Sequence, residues 1–273
     1  MECAGGCGFY GQADQMDMCS KCYRECLQSI AGSDIPYKPS KPPSGKNRES
    51  EVQIKLHVGD ECVIEVCHGD ITLETVDAIT NAANTSLDHA SGLAGAIRKK
   101  ASRIQDDCDE FILRKGRLEV GEVYTTKAYA LPCKHVIHCV GPTWRGGGEG
   151  EHIMLQMAIR ACLDEARSLG AKSISIPAIS SGIFGYPKDK CAEVLFDTVI
   201  AFWKQSPENR AAIPLVRFVN FDEKTVNIFQ QEAKLRIKEN ANRENDDRDD
   251  NDDDNDDRDD EDNDDDNDDS QQT

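Results

Sequence analysis

A three-layer α/β/α sandwich around a mixed, mainly parallel sheet is the fold this sequence predicts for residues 51–240, and three observations predict it. Short β-branched runs alternate with segments of helical period, the pattern of strands connected by crossover helices. The first two runs, Val52–Val58 and Cys62–Cys67, have no room for a helix between them, so the sheet is expected to be mixed. Two later runs each end in a loop of small residues that opens a helical segment. That arrangement gathers backbone N–H groups and a positive helix end at one place.

The expected strands are Val52–Val58, Cys62–Cys67, Ala78–Asn81, Val123–Thr126, His135–Val140, Ser173–Pro177 and Leu215–Phe221. Helical periodicity covers Leu93–Ile104, Asp106–Lys115, Ile153–Leu169, Lys188–Lys204 and Glu223–Lys238. Residues 1–30 are cysteine-rich with little apolar content. Residues 31–50 carry Pro, Gly, Ser and Lys without periodicity and read as a flexible linker. Residues 241–273 are rich in Asp and Asn, cannot bury apolar surface and are expected to be disordered.

The formal charge of −19 misleads as an average. Residues 239–273 hold twenty acidic side chains against three arginines, so the rest of the chain is close to neutral. The Asp/Asn tail lacks the fixed Gly and terminal Glu of a calcium loop and reads as a solvated segment. No apolar run reaches the length of a membrane span, and Glu2 and Cys3 follow the first Met where a signal peptide would carry basic residues. Twelve cysteines in such a chain point to metal ligands and free thiols in a reducing compartment, cytosol or nucleus. Cys62, Cys67, Cys139 and Cys162 lie within apolar patterns and read as small buried hydrophobes. The chain is expected to be a monomer.

Four cysteines stand apart from these. Cys3-x3-Cys7-x11-Cys19-x2-Cys22 supplies two ligand pairs at spacings that close around a tetrahedral ion. Four soft thiolates select zinc and leave it no open position, so the ion is structural. A unit this small has almost no core, and metal binding must supply its folding energy. Cys26 reads as a spectator. Gly6-Cys7-Gly8-Phe9-Tyr10-Gly11 and Met18-Cys19-Ser20-Lys21-Cys22-Tyr23 closely resemble the A-twenty-type zinc finger. The resemblance implies ubiquitin as partner, contacted by Phe9 and Tyr10 after the second ligand. DNA is the weaker candidate, because Lys21 and Arg24 offer little charge for neutralising phosphate.

In the body, Asn81-Ala82-Ala83-Asn84 ends a strand, and Ser91-Gly92-Leu93-Ala94-Gly95 opens a helix. Ser180-Ser181-Gly182-Ile183-Phe184-Gly185 follows a second strand in the same way. Two phosphate cradles suit a nucleotide diphosphate sugar. With Gly69-Asp70-Ile71-Thr72 and Val136-Ile137-His138-Cys139-Val140-Gly141-Pro142, these runs resemble the macrodomain family in order and spacing. That family binds ADP-ribose, free or on protein, and some members hydrolyse the linkage. The resemblance implies that Asp70, with Ile71, meets adenine and that Phe221 stacks on it. Ser91, Gly92 and Leu93, with Ser181, Gly182, Ile183 and Phe184, would donate amides to the phosphates. Phe184 would pack on the distal ribose and Asn84 would bond its hydroxyls. Asn81 reads as structural.

One departure bears on activity. Family hydrolases carry a glycine run and then an Asp in the first loop, where this chain has His89-Ala90-Ser91-Gly92 and then Ala94. The resemblance therefore implies first a reader of ADP-ribose and ubiquitin marks. A hydrolase of ADP-ribosyl esters or O-acetyl-ADP-ribose is the alternative, with Asn84 as the ribose-orienting catalytic residue. A ligase-type or DNA-associated zinc-finger adaptor is the second alternative. Asp88 and His89 are expected to be exposed loop residues, and His138 a satisfied core histidine.

Overall fold

The computed structural model describes residues 50–252, with side chains through residue 241. The finger with Cys3, Cys7, Phe9, Tyr10, Cys19 and Cys22, the linker up to residue 49, and residues 253–273 lie outside the described residues.

The described chain runs through β1 (Glu51–Val58), β2 (Cys62–His68), a 3-10 turn (Ile71–Leu73), β3 (Ala78–Ala83), α1 (Gly92–Lys100), α2 (Arg103–Lys115), β4 (Val123–Lys127) and β5 (His135–Val140). It continues through α3 (Glu151–Ser168), β6 (Ser173–Ile176), α4 (Lys188–Gln205), α5 (Pro207–Ala212), β7 (Leu215–Asn220) and α6 (Glu223–Asp252). The strands form one sheet in the order β1-β2-β7-β6-β3-β5-β4. The five inner strands pair in parallel, while β1 and β4 are antiparallel edges. The mixed sheet expected from the close first pair is therefore present, with a second antiparallel edge at β4.

Alternation along the strands divides the core in two. Ala78, Ile137, Val216 and Phe218 belong to one buried cluster with Leu155, Phe196, Trp203 and Phe229, which come from α3, α4 and α6. Ile79, Val136, Val140 and Val219 belong to another with Ile97, Ile104 and Cys108, from α1 and α2. Successive strand residues point to opposite faces, so these clusters are the two layers between sheet and helices. Aromatic edges lock the first layer, with Phe218 4.9 Å from Phe196 and 5.5 Å from Phe229 between ring centroids.

The chain's entry into the sheet is held by charge. Arg217 on β7 lies 3.3 Å from the carboxylates of both Glu65 and Glu74 and donates to the Ser50 carbonyl at 3.1 Å. The Ser50 amide donates to Glu74 at 3.1 Å. Three buried charges thus satisfy one another and fix the first described residue.

Three helix boundaries differ from expectation. The segment Leu93–Ile104 is broken at Ala101, whose φ of −136° leaves the helical region. Ala101 is buried between Ile97 and Ile104, so the turn lets both helices face one core. Helix α5 is short, opened by Ser206 accepting from the Asn209 amide with Pro207 at the first position. Helix α6 continues through Asp252, twelve residues into the segment expected to be disordered. No Gly or Pro interrupts residues 223–252, so nothing in the backbone stops it. Among the described residues, no helix is long and apolar enough to cross a membrane.

The topology also sets a switch point. From β3 the sheet is extended through β5 in one direction, and from β6 through β7 in the other. The connections after β3 and β6 leave toward opposite layers, to α1 and to α4. Ligand crevices in open α/β sheets form at such a switch point, beyond the carboxyl ends of the strands.

Candidate functional site

Five strand ends meet at this edge of the sheet. The end of β2 is stitched to that of β7, because the Gly69 amide donates to the Asn220 carbonyl at 3.0 Å. A Cβ on Gly69 would fall 2.6 Å from Ser50 Cα, so the close approach demands glycine there. Asp70 then caps the 3-10 turn, accepting from the Thr72 amide at 3.0 Å and from its hydroxyl. Its other oxygen pairs with Lys100 at 3.0 Å. Partial burial pushes this carboxyl up, but the Thr72 hydroxyl, Lys100 and the Thr72 amide outweigh it and its pKa is lowered. The Ile71 side chain is buried in the second core layer, which leaves only its backbone for a ligand.

Asn84 follows β3 and braces its own loop. Its side-chain oxygen accepts from the Asp88 amide at 3.0 Å and the Ser86 hydroxyl at 3.2 Å. Its nitrogen reaches the Asp88 carbonyl only at 3.4 Å, so the amide protons remain available to a further acceptor. Ser91 begins α1 in extended conformation without a side-chain cap, leaving the first-turn amides unsatisfied. Gly92 has φ of +59°, and nothing lies within 4 Å of the place a Cβ would take. Both a left-handed backbone and open space at the helix start suit an approaching anion.

The loop after β6 leaves the sheet at the same end, because β3 and β6 are parallel neighbours. Ser181, whose amide is expected to meet a phosphate, is instead tied back to the Ala178 carbonyl through that amide at 3.2 Å and its hydroxyl at 2.7 Å. The Tyr186 amide donates to Ser180 and the Gly185 amide to Gly182, both at 3.0 Å. Within the described residues, the amides of Gly182, Ile183 and Phe184 donate to no protein acceptor. Ile183 is 84% exposed and Phe221, beyond β7, is 57% exposed. Large apolar side chains bared after two of the strand ends suit a ligand with apolar rings.

The positioning of this loop is remote in sequence. Asn220 accepts from the Ala178 amide at 3.0 Å, and the Trp144 amide donates to the Phe184 carbonyl at 2.8 Å. Trp144 lies in the glycine-rich connection after β5. There the Glu151 carboxylate gathers the amides of Arg145, Gly147 and Glu149 at 2.8–3.0 Å. Its own amide and these three hold its pKa at about 2.

Lys100, Asn220 and Trp144 were not predicted from sequence. Lys100 lies in a run of basic residues at a helix end, where charge complements the helix dipole and carries no further signal. Asp88 is exposed as expected, but His89 is not: it is 2% exposed, its ring bonded to Gln105 at 2.9 Å and to His138 at 3.1 Å. The loop turns inward after Leu87, a buried residue with φ of +52°, and carries His89 under it. Burial lowers the His89 pKa against the opposing bond to Gln105. No base is therefore offered to the crevice from His89. His138 is the buried, bonded histidine expected, held by Thr126 at 3.0 Å.

Comparison with known proteins places this geometry. The Macro domain family matches residues 80–195 and the A20-like zinc finger family matches residues 2–28. A Thermotoga maritima relative is 44% identical over 170 residues, 62% of this chain but 28% of that protein. An O-acetyl-ADP-ribose deacetylase of Enterobacter cloacae is 41% identical over 169 residues, covering 62% of this chain and 92% of that enzyme. Among solved structures, the Oceanobacillus iheyensis macrodomain with ADP is similar at a TM-score of 0.63 and 33% identity, over 68% of this chain and 97% of that one. The Trypanosoma brucei macrodomain in complex with ADP-ribose is similar at 0.55 and 28% identity, over 62% and 68%. The chain belongs to the macrodomain family and carries an A20-like zinc finger ahead of the macrodomain.

Proposed function

We propose that the crevice at the β3–β6 switch point binds ADP-ribose, free or attached to protein. The observation that carries this reading is the pair of loops at the same end of the sheet whose amides, at Ser91–Leu93 and Gly182–Phe184, have no protein acceptor to satisfy. A diphosphate between them would meet both sets, with the dipole of α1 adding to one. Adenine would lie toward Asp70 and against Phe221, and the distal ribose toward Asn84 and Phe184. The ADP- and ADP-ribose-bound relatives support the ligand class. Calorimetric titration of ADP-ribose into the full chain tests it, and absence of saturable binding would sink it.

The finger, with structural zinc on Cys3, Cys7, Cys19 and Cys22, would bind ubiquitin through Phe9 and Tyr10, so that one chain reads two marks. The linker would set the distance over which both are engaged. Loss of ubiquitin capture in Phe9→Ala/Tyr10→Ala, with ADP-ribose binding intact, is the expected result. Retained capture would remove the aromatic pair from that role, and capture of DNA instead would favour the adaptor reading.

A second reading is favoured by the deacetylase name of a 41%-identical relative. The chain would then hydrolyse an ester at the distal ribose, with Asn84 orienting the sugar. Ala94 is buried at the first turn of α1 and supplies no carboxylate. Catalysis would rest on positioning and on amides facing the developing charge. Release of ADP-ribose from a glutamate-ADP-ribosylated protein or of acetate from O-acetyl-ADP-ribose, lost in Asn84→Ala, decides for hydrolysis. Binding without release leaves a reader.

A further inference from the structure

Beneath the loop between Asn84 and Ser91, three elements bring soft donors together in the second core layer. His89 from the loop, Cys108 from α2 and His138 from β5 are all buried, and their ligating atoms lie within 4.8 Å of one another. Cys108 is a free buried thiol whose Sγ makes no hydrogen bond among the described residues.

These groups do not satisfy one another's hydrogen-bonding needs. The Gln105 side-chain nitrogen donates to the Leu87 carbonyl at 3.1 Å and to Asp109 at 2.7 Å. Its oxygen is therefore the atom that accepts from the His89 amide at 3.0 Å and from His89 Nδ1 at 2.9 Å. A neutral His89 with its proton on Nδ1 presents a bare Nε2, 3.1 Å from His138 Nδ1. The Asn81 side-chain nitrogen points at that same His138 atom from 3.0 Å, while Asn81 Oδ1 has no partner at all.

If His138 Nδ1 is bare, it accepts from Asn81 and two lone pairs face each other. If it carries a proton, it donates to His89 and opposes the Asn81 amino group. Turning the Asn81 amide over removes that clash but leaves its nitrogen unpaired in a fully buried place. No proton arrangement satisfies all three side chains, and an orphaned buried polar group is costly.

We propose that this cluster is a buried zinc site, held by His89 Nε2, His138 Nδ1 and Cys108 Sγ, with the turned Asn81 Oδ1 as fourth donor. One ion would accept both lone pairs and use the orphaned oxygen. Two imidazoles and a thiolate are a donor set that selects zinc over the hard cations. The surroundings complete the arrangement. The far nitrogens of both rings are already bonded, His89 to Gln105 and His138 to Thr126, and Gln105 is itself held by Asp109. Such outer bonds aim imidazoles at a metal.

Asp107 and Asp109 flank Cys108, and after burial they are what pushes its thiol up to about 12. The same negative field favours a site of net charge +1. Zinc uptake would displace the thiol proton to solvent, forming one Zn–S bond and releasing one H⁺. The ion would clamp the first ligand loop to α2 and β5. This inference does not rest on ADP-ribose binding.

The test uses the full chain with Cys3, Cys7, Cys19 and Cys22 all changed to Ser, so that the finger cannot contribute. After exposure to zinc and dialysis, elemental analysis and native mass spectrometry should find one zinc per chain. Adding Cys108→Ala should reduce this to less than one tenth. No zinc in the finger-free chain overturns the proposal, and so does zinc retained unchanged after Cys108→Ala. Should Cys108→Ala fail to fold, the cobalt-loaded finger-free chain decides. A tetrahedral spectrum with a thiolate-to-cobalt charge-transfer band is expected, and its absence overturns the site.

Discussion

Gly141→Ala tests whether the second ligand loop is placed by the connection after β5. Gly141 follows the last residue of β5 and abuts the Ser180 turn. A Cβ there would lie 2.2 Å from Ser180 Oγ and 2.7 Å from Ile179 Cγ2. The hydroxyl can rotate, since it has no partner to lose. Ile179 cannot yield so easily, because it is 1% exposed within the first core layer. Restoring an ordinary contact requires the loop to retreat by about 0.7 Å, and close-packed interiors absorb little of that. Overpacking of this kind costs about 1–3 kcal/mol, which for a body of this size is a drop of about 3–10 °C in Tm.

The retreat carries the amides of Gly182, Ile183 and Phe184 with it. Losing one or two charge-assisted bonds to phosphate removes about 2–4 kcal/mol, or about 30- to 1000-fold in Kd for ADP-ribose. Calorimetry and a thermal melt read both effects. Gly148→Ala is the control, since nothing lies within 4 Å of its Cβ position, and it should change neither. A Gly141→Ala chain with unaltered Tm and ADP-ribose affinity within about threefold of wild type would refute the coupling of the two connections.

Phe221→Ala should leave stability within about 0.5 kcal/mol, as the ring is largely exposed. ADP-ribose affinity should fall by about 1–3 kcal/mol if adenine stacks there, and an unchanged titration would remove the ring from the site. Arg217→Met strips the cation from Glu65 and Glu74 and should cost about 3–5 kcal/mol in urea unfolding; a smaller loss would mean that Ser50 and Ser175 suffice for Glu74, and Lys55 for Glu65. The Asp70 carboxyl is lowered in the folded state, so its contribution is present above the unfolded value and lost as pH falls through the folded one. Lys100→Met should raise the Asp70 pKa by NMR and move acid unfolding to higher pH, and an unmoved titration would show that the ion pair does not form in solution.

Much of the fold was legible because its signals are local. His135–Val140 matches the expected strand residue for residue, since apolar runs between turn residues declare themselves whatever surrounds them. The absence of a helix between β1 and β2 gave the antiparallel pair, yet the order of the inner strands was not legible, because pairing depends on packing between distant segments. The two helices were legible, but the break between them falls at Ala101 rather than at Gln105 for the same reason. Ala, Ser and Arg are compatible with a continuous helix, and only the shared burial of Ile97, Ala101 and Ile104 turns the chain. The helix through Asp252 escaped on composition, where an acidic segment reads as solvated although no residue in it breaks a helix.

The site was legible to the extent that it consists of backbone. Small residues at a strand-to-helix turn leave amides bare, and this holds at Ser91–Leu93 and at Gly182, Ile183 and Phe184, whereas the amides of Ser181 and Gly185 are taken within their own loop. Side chains were harder, because a polar residue in sequence does not reveal which of its neighbours claims it. The resemblance assigns Asp70 to adenine, whereas its own geometry makes it a cap paired to a lysine thirty residues away. His89 reads as exposed beside Asp88, yet the left-handed turn at Leu87 sends it inward to Gln105 and His138. In both cases the partner that fixes the side chain is remote in sequence: Lys100 holds one oxygen of Asp70, and Gln105 and His138 hold His89 beneath the loop that carries Asn84 and Ser91.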